Sequence, residues 1–285
     1  MIHAGLVLEG GATRGVFTAG ALDYLMEQDI YFSHVAGVSA GSCNAVDYVS
    51  RQIGRTKDCM ITQGKEYNYY YGLKDFIRER SMMDMDMIFD RYPNELIPFD
   101  FDTFFASDME CEIVATNCLT GKAEYLTEKS DRKRLLMLTR ASCSMPLACP
   151  VTVVDGVPYL DGGIADSVPV DHVRELGFKK VVVILTRPKG YRKKPTSRAI
   201  GRLYRRLYSK YPRLVRTCIL RNKSYNRTME HIEKMEENGE IFVLRPQMPP
   251  VSRLEKDRDK LQAFYQHGRS QMEQALPYLV KYLDE

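Results

Sequence analysis

The chain lacks any apolar stretch long enough to cross a bilayer. Its longest run free of Asp, Glu, Lys and Arg is the 17 residues from Ile30 to Val46, and Ser33, His34, Ser39, Ser42 and Asn44 interrupt it. A spanning helix needs about 20 mostly apolar residues. No basic flank precedes the first apolar run, which soon meets Glu9, so the N-terminus does not read as a signal peptide. The seven cysteines are odd in number and form no CxxC pair. That spacing argues against structural zinc and for free thiols over a disulfide framework, hence for a reducing, cytoplasmic setting. No internal repeat and no low-complexity tract occurs. At 44% hydrophobic and 27% charged, the composition excludes disorder over most of the 285 residues.

Acidic residues are missing from one long segment. The 41 residues from Arg187 to Arg227 hold 15 Lys or Arg and no Asp or Glu. Subtracting these 15 from the net +4 leaves −11 on the rest of the chain. A basic arm on an acidic body points to an anionic surface: phospholipid, nucleic acid or an acidic partner. No zinc-finger, RRM or helix-turn-helix signature supports nucleic acid.

The first half alternates strands and helices. Ala4 to Leu8 and His34 to Val38 suit buried strands, each followed by helical apolar spacing. Residues 57–105 read as helices and loops over one end of the sheet. Glu112–Thr116 and Lys122–Leu126 read as a hairpin, and Val151–Val154 and Val157–Leu160 pair across Asp155-Gly156. Val181 to Leu185 is a further buried strand. Ser252 with Glu255 has capping-box spacing and is expected to open a helix, and Pro277 to kink or restart the last one. The fold expected is α/β: a mainly parallel sheet with helices on both faces, plus a basic, largely helical C-terminal extension. The boundaries expected are 1–187 for the first unit and 188–285 for the extension.

Three motifs could carry chemistry. Gly37-Val38-Ser39-Ala40-Gly41 is a G-x-S-x-G string between a strand and a helix, as a nucleophile elbow requires. Its bland reading is a serine N-cap between small residues. Gly10-Gly11-Ala12-Thr13-Arg14-Gly15 also joins strand to helix, and its backbone N–H groups could converge on an oxyanion or phosphate. A Walker A loop would need Lys-Ser or Lys-Thr where Val16-Phe17 stand, and the G-x-G-x-x-G spacing is absent. A plain tight turn remains open. Asp161-Gly162-Gly163 follows a strand; a rigidly held carboxylate and an ordinary Asp-Gly turn are both open.

In that order the three motifs resemble the signatures of the patatin-like phospholipases, a family of lipid acyl hydrolases. The resemblance covers roughly residues 5 to 187, including the small-residue segment Ala141–Pro146. It implies a patatin-like α/β/α fold and a Ser39–Asp161 catalytic dyad without histidine, metal or organic cofactor. Gly10, Gly11 and Ala12 would supply the oxyanion hole. Arg14 would bind substrate phosphate or anchor the loop, the anchor being the expectation. The third glycine of the family's first signature is Ala12 here, and alanine tolerates positive φ poorly, which bears on the donor set. His172, His231 and His267 read as surface or interface residues. The function implied is hydrolysis of phospholipid or lysophospholipid acyl esters. A soluble esterase or thioesterase, a phosphate- or nucleic-acid-binding protein and a lipid-binding pseudoenzyme are the competing readings.

Within the arm, Ile200, Leu203, Tyr204, Leu207, Tyr208 and Tyr211 recur at helical spacing between basic residues. Arg202, Arg205 and Arg206 are therefore candidates for holding an anionic membrane surface through 187–227, peripheral at an inner membrane face, with no nucleic acid expected. A helix packed on the core with a solvated basic face is the alternative.

Overall fold

The computed structural model describes residues 1–62, 64–70 and 81–285. Gln63 and residues 71–80, part of the stretch read as helices and loops, lie outside the described residues. The strands are β1 (Ile2–Leu8), β2 (Phe32–Val38), β3 (Glu110–Asn117), β4 (Ala123–Leu126), β5 (Thr152–Val154), β6 (Val157–Asp161), β7 (Val181–Ile184) and β8 (Phe242–Leu244). The helices are α1 (Gly15–Glu27), α2 (Ala40–Val49), α3 (Arg55–Met60), α4 (Phe101–Phe105), α5 (Arg132–Cys143), α6 (Val170–Glu175), α7 (Arg198–Leu207), α8 (Pro212–Glu237) and α9 (Arg258–Asp284). A π-helix, Met87–Leu96, precedes α4.

All eight strands form one sheet in the order β5-β6-β3-β2-β1-β7-β8, with β4 on β3. The run β3-β2-β1-β7-β8 is parallel, β4 and β6 pair antiparallel with β3, and β5 pairs antiparallel with β6. Successive residues of the central strands face opposite cores. Leu6 and Leu8 of β1, with Val182 and Ile184 of β7, pack with α1, α2, α5 and α9. Val7, Val181 and Val183 pack on the other face with Val170 and Val173 of α6 and Tyr225, Met229 and Ile232 of α8. Burial on both faces explains why these strands read as continuous apolar runs.

One junction positions the site. β4 runs along β3 from Ile113 to Thr116. The other edge of β3 carries β2 as far as Val38, opposite Val114, and then β6, whose Asp161 lies opposite Ala115. β2 and β6 therefore meet head to head on that edge. The residue that follows Val38 and the last residue of β6 come together although 122 positions separate Ser39 from Asp161.

The C-terminal region is woven into this architecture. β8 extends the sheet beside β7, and α9 lies along α1. A Cβ at Gly268 would sit 2.0 Å from the Phe17 carbonyl oxygen, and one at Gly20 would sit 2.1 Å from that of Tyr265. The two backbones touch through glycines.

One local expectation changes. α9 starts later than expected, with Asp257 as its cap, accepting from the N–H groups of Asp259 and Lys260. Thr13 Oγ1 donates to the Ser252 carbonyl at 2.8 Å and accepts from Glu255 N at 3.3 Å, which holds Ser252–Glu255 as a turn against the loop after β1. α9 then runs past Pro277. The lost backbone bond is outweighed beyond it, where Leu279 is buried and the Tyr282 hydroxyl accepts from Val181 N at 3.0 Å. In the arm, Pro212 opens α8 at its first turn.

Gly268→Val should cost about 3 kcal/mol, the upper end for overpacking a close contact. Denaturant unfolding of the two proteins measures it, and wild-type stability in the variant would contradict backbone contact between α1 and α9.

Candidate active site

Ser39 sits at the turn from β2 to α2 with φ +55° and ψ −126°. That conformation is sparsely populated for a residue with a β-carbon and costs on the order of 1–3 kcal/mol. The flanking glycines make the turn possible. A Cβ at Gly37 would meet the Gly41 carbonyl oxygen at 2.4 Å, and one at Gly41 would meet that of Leu8 at 2.4 Å. The strain is opposed by hydrogen bonds. Ser42 N and Oγ donate to the Ser39 carbonyl at 2.8 and 2.6 Å. Ser39 N donates to Ser142 Oγ at 2.8 Å, and that hydroxyl donates to the Val114 carbonyl at 2.6 Å. Ser142 thus ties the turn to β3 at the head-to-head junction. Its role was not read from the sequence, although it lies in the segment Ala141–Pro146.

The glycine loop lies directly against Ser39. A Cβ at Gly10 would fall 2.8 Å from Ser39 Cβ and 2.7 Å from the Val38 carbonyl oxygen. Ala12 takes φ +51° despite its side chain. The N–H groups of Gly10, Gly11 and Ala12 donate to no described residue, while all three residues line the same cleft as Ser39.

Asp161 closes the cleft from β6 and is 2% exposed. Gly163 N donates to its Oδ1 at 2.8 Å, and its own N–H donates to the Ser144 carbonyl at 2.8 Å. Gly162 is demanded by packing, since a Cβ there would meet the Val114 carbonyl oxygen at 2.1 Å. Ser39 and Asp161 face one cleft without a direct hydrogen bond between them.

No histidine lines this cleft or the cavity beside it. His34 and His172 share Glu112 Oε2 at 3.1 and 2.8 Å, and His172 stacks on Tyr125. His231 pairs with Asp171, and His267 accepts from Gln247 N. Asp155 pairs with Arg134, and Asp166 accepts from the Tyr125 hydroxyl. Among the described residues no cluster of His, Cys, Asp and Glu could hold a metal.

The second cavity opens from Ser39 on the side away from Asp161. It spans about 1060 Å³, counting space open to solvent, and its walls are mainly apolar, Met83, Met85, Ile88, Phe89 and Leu135 among them, with Asp47, Arg55 and Arg253 also in the lining. Arg14 N donates to the Gly11 carbonyl at 3.3 Å, and its side chain lies beside the loop. It is buried in the polar cleft, no hydrogen bond joins its side chain to the loop, and Nε and Nη1 lack any partner among the described residues. Burial, then the nearby Arg187, pulls its pKa down to about 10. Arg202, Arg205 and Arg206 are exposed on α7 and do not reach the cleft. That helix splits its apolar residues: Tyr204 and Tyr208 pack inward with Leu214 and Cys218, while Ile200, Leu203 and Leu207 face out.

The family model described as patatin-like phospholipase matches residues 6–174. The chain belongs to that family. Residues 211–284 match a second description, Domain of unknown function (DUF6363). The uncharacterized protein YjjU of Escherichia coli is 30% identical over 188 residues, 64% of this chain and 52% of its own length. Lysophospholipase nte1 of Aspergillus niger is 26% identical over 63% of this chain and 12% of its own. Patatin-like phospholipase domain-containing protein ZK370.4 of Caenorhabditis elegans is 27% identical over 62% of this chain and 13% of its own. The chain thus spans about half of YjjU and about an eighth of the two larger relatives. Among solved structures, VipD from Legionella pneumophila is similar at TM-score 0.47 and 12% identity, covering 100% of this chain and 67% of that one. The patatin-like match contains Ser39, Asp161 and the glycine loop, and it stops before the basic arm.

The strained turn yields a stability test. Ser39→Ala keeps the β-carbon and the strain, whereas Ser39→Gly relieves it at an entropic cost of about 0.4–1 kcal/mol. Ser39→Gly should be more stable than Ser39→Ala by about 1 kcal/mol in urea unfolding. Equal stability would mean the turn is relaxed.

Proposed function

We propose that the protein is a serine acyl-ester hydrolase acting on phospholipids or lysophospholipids through Ser39 and Asp161. The observation that carries this is the loop from Gly10 to Ala12: three consecutive backbone N–H groups without a described partner, packed against a strained serine. Gly11 is buried and Gly10 and Ala12 are half-buried, so donors left unpaired there carry a cost; an oxyanion forming at the carbonyl attacked by Ser39 would satisfy them. In this reading Ser39 Oγ attacks the ester carbonyl and its proton passes to Asp161. Asp161 gives that proton to the alkoxide as the alcohol leaves, the acyl group stays on Ser39, and Asp161 then takes a proton from the attacking water and returns it to Ser39 Oγ as the acid is released. An aspartate is a weak base for a hydroxyl, so the donors must stabilise charge as the proton moves. The methionine- and aromatic-walled cavity suits an acyl chain. The family membership and the nte1 relative's name support the lipid class. Neither metal nor cofactor has a part in the mechanism.

Asp161→Asn should lower ester hydrolysis about 10²–10⁴-fold, the usual effect of removing a general base. The comparison is with His172→Ala, His231→Ala and His267→Ala in the same assay, alongside fluorophosphonate labelling of wild type and Ser39→Ala. Labelling that persists without Ser39, or a histidine variant that is inactive while Asp161→Asn works, would overturn the dyad.

The chain regions proposed are a catalytic unit over 1–187 and an extension over 188–285 folded back on it. The arm is proposed to hold the protein at an anionic membrane, inside the cell. Outward Ile200, Leu203 and Leu207 beside Arg202, Arg205 and Arg206 support this, and no described helix is long and apolar enough to cross a membrane. Each basic residue near an anionic surface contributes about 1 kcal/mol. Replacing the three arginines with Gln should weaken binding to phosphatidylserine vesicles at least tenfold at low salt. Unchanged vesicle sedimentation would leave α7 as a packed helix with a solvated face.

A further inference from the structure

The cleft shared by Ser39 and Asp161 carries more positive charge than ester hydrolysis needs. Arg14, Arg187, Lys193, Arg221 and Arg253 line it, against two carboxylates, Glu9 and Asp161. None of the five cations forms an ion pair with a described residue. Glu9 is engaged elsewhere: Thr186 donates to its Oε2 from N at 2.6 Å and from Oγ1 at 3.0 Å, and the Tyr225 hydroxyl donates to Oε1 at 3.0 Å. Arg221 Nε donates to the Gly163 carbonyl at 2.6 Å. Arg14 is 3% exposed with Nε and Nη1 unpartnered. A buried guanidinium without an acceptor is costly, and an anion in the cleft removes the cost. The like charges act on one another: burial, followed by Arg221, lowers the Lys193 pKa to about 6, so the amine holds its proton at neutral pH only when an anion lies beside it. Glu9 opposes that shift, while Arg253 and Arg14 add to it.

Which anion is set by two further features. First, the faces of the nearby tyrosines are taken. Lys193 Nζ lies 3.4 Å from the Tyr225 ring centroid, and the Arg187 guanidinium lies 4.3 Å from that of Tyr191. A quaternary ammonium would need such a face and would meet cations instead. Second, Ala12, Ser39, Met145 and Arg253 line both the polar cleft and the apolar cavity. An ester carbonyl at Ser39 would have its acyl chain on one side and its head group on the other. The cleft also continues outward past Pro195, Ile200 and Tyr204, which share a surface depression with Arg187, Lys193, Arg221 and Arg253. Its mouth is therefore beside the exposed side of α7.

We infer that the extension builds an anionic head-group subsite here, selecting acyl esters whose alcohol carries an uncapped, net-anionic phosphate over neutral esters and over esters whose phosphate is capped by choline. Four of the five cations come from beyond β7: Arg187 and Lys193 from the loop, Arg221 from α8 and Arg253 from the turn before α9. The inference rests on the proposed role of Ser39 as nucleophile and adds the substrate class to it.

The test compares kcat/KM of the full chain for 1-oleoyl-lysophosphatidate, 1-oleoyl-lysophosphatidylcholine, monooleoylglycerol and oleoyl-CoA in neutral detergent micelles. Lysophosphatidate should be preferred over the choline and neutral esters at least tenfold, since charge-assisted contacts to phosphate are roughly twice as strong as neutral ones. Lys193→Gln combined with Arg253→Gln should reduce the ratio of lysophosphatidate to monooleoylglycerol rates about tenfold or more, the monooleoylglycerol rate serving as reference. Sodium sulfate on the wild type, compared with sodium chloride at equal ionic strength, gives a reading independent of variant folding. It should compete with lysophosphatidate at concentrations that leave monooleoylglycerol hydrolysis less affected. A wild-type ratio near one, a ratio unchanged in the double variant, or sulfate that competes with neither substrate would overturn the subsite. Preference for oleoyl-CoA would place the recognised phosphate on a thioester carrier instead of a lipid head group. Failure of the nucleophile reading looks different: every ester is then hydrolysed equally by wild type and Ser39→Ala.

Discussion

Everything at the site depends on how two strands share one edge of β3. β2 runs parallel along it to Val114, and β6 arrives antiparallel from the other end and stops at Ala115. No room remains between them, which is why Gly162 must lack a side chain against the Val114 carbonyl. Ser142 occupies the junction with a single hydroxyl that accepts from Ser39 N and donates to Val114 O. Sheet pairing leaves little freedom in where a strand ends relative to its neighbour. A serine after one strand and a carboxylate at the tip of the other are therefore placed by backbone hydrogen bonds rather than by flexible side chains. The strain at Ser39 is affordable because this scaffold over-determines its position.

The extension is the second contributor. β8 continues the sheet, α9 presses its backbone on α1 through Gly20 and Gly268, and α8 covers the face opposite α1. The same segments deliver cations to a cleft whose floor is the glycine loop. Packing and charge are thus supplied by one stretch of chain. Tyr225 illustrates this: its ring lies in the hydrophobic core under β1 and β7, its hydroxyl donates to Glu9, and Lys193 sits over its face.

Much of this was legible beforehand because it is local. The elbow is readable from Gly37, Ser39 and Gly41 since a tight strand-to-helix turn admits only small neighbours. The Asp155-Gly156 hairpin is readable since both residues tolerate the positive φ they adopt. The alternation of β1 and β2 with α1 and α2 follows from apolar spacing alone. Misreadings arose where a distant residue intervened. Ser252 and Glu255 have capping spacing, but Thr13 claims both and leaves the cap to Asp257. The arm's tyrosines and aliphatic residues look equivalent on a helical wheel, yet α8 takes Tyr204 and Tyr208 and leaves Leu207 outside.

By itself, then, the order of residues determined the strand–turn–helix units, the glycine loop, the serine turn and the Asp-Gly-Gly end of β6, because each is a matter of backbone geometry over a few positions. Only the tertiary structure decided that Ser39 and Asp161 face one cleft, that Ser142 ties the serine turn to β3, and that Arg14 is buried with Nε and Nη1 unpartnered among the described residues. It also decided that Lys193, Arg221 and Arg253 turn towards the site while Arg202, Arg205 and Arg206 of the same basic region turn away. Charge is visible in a sequence, but its direction is set by which helix face the core takes.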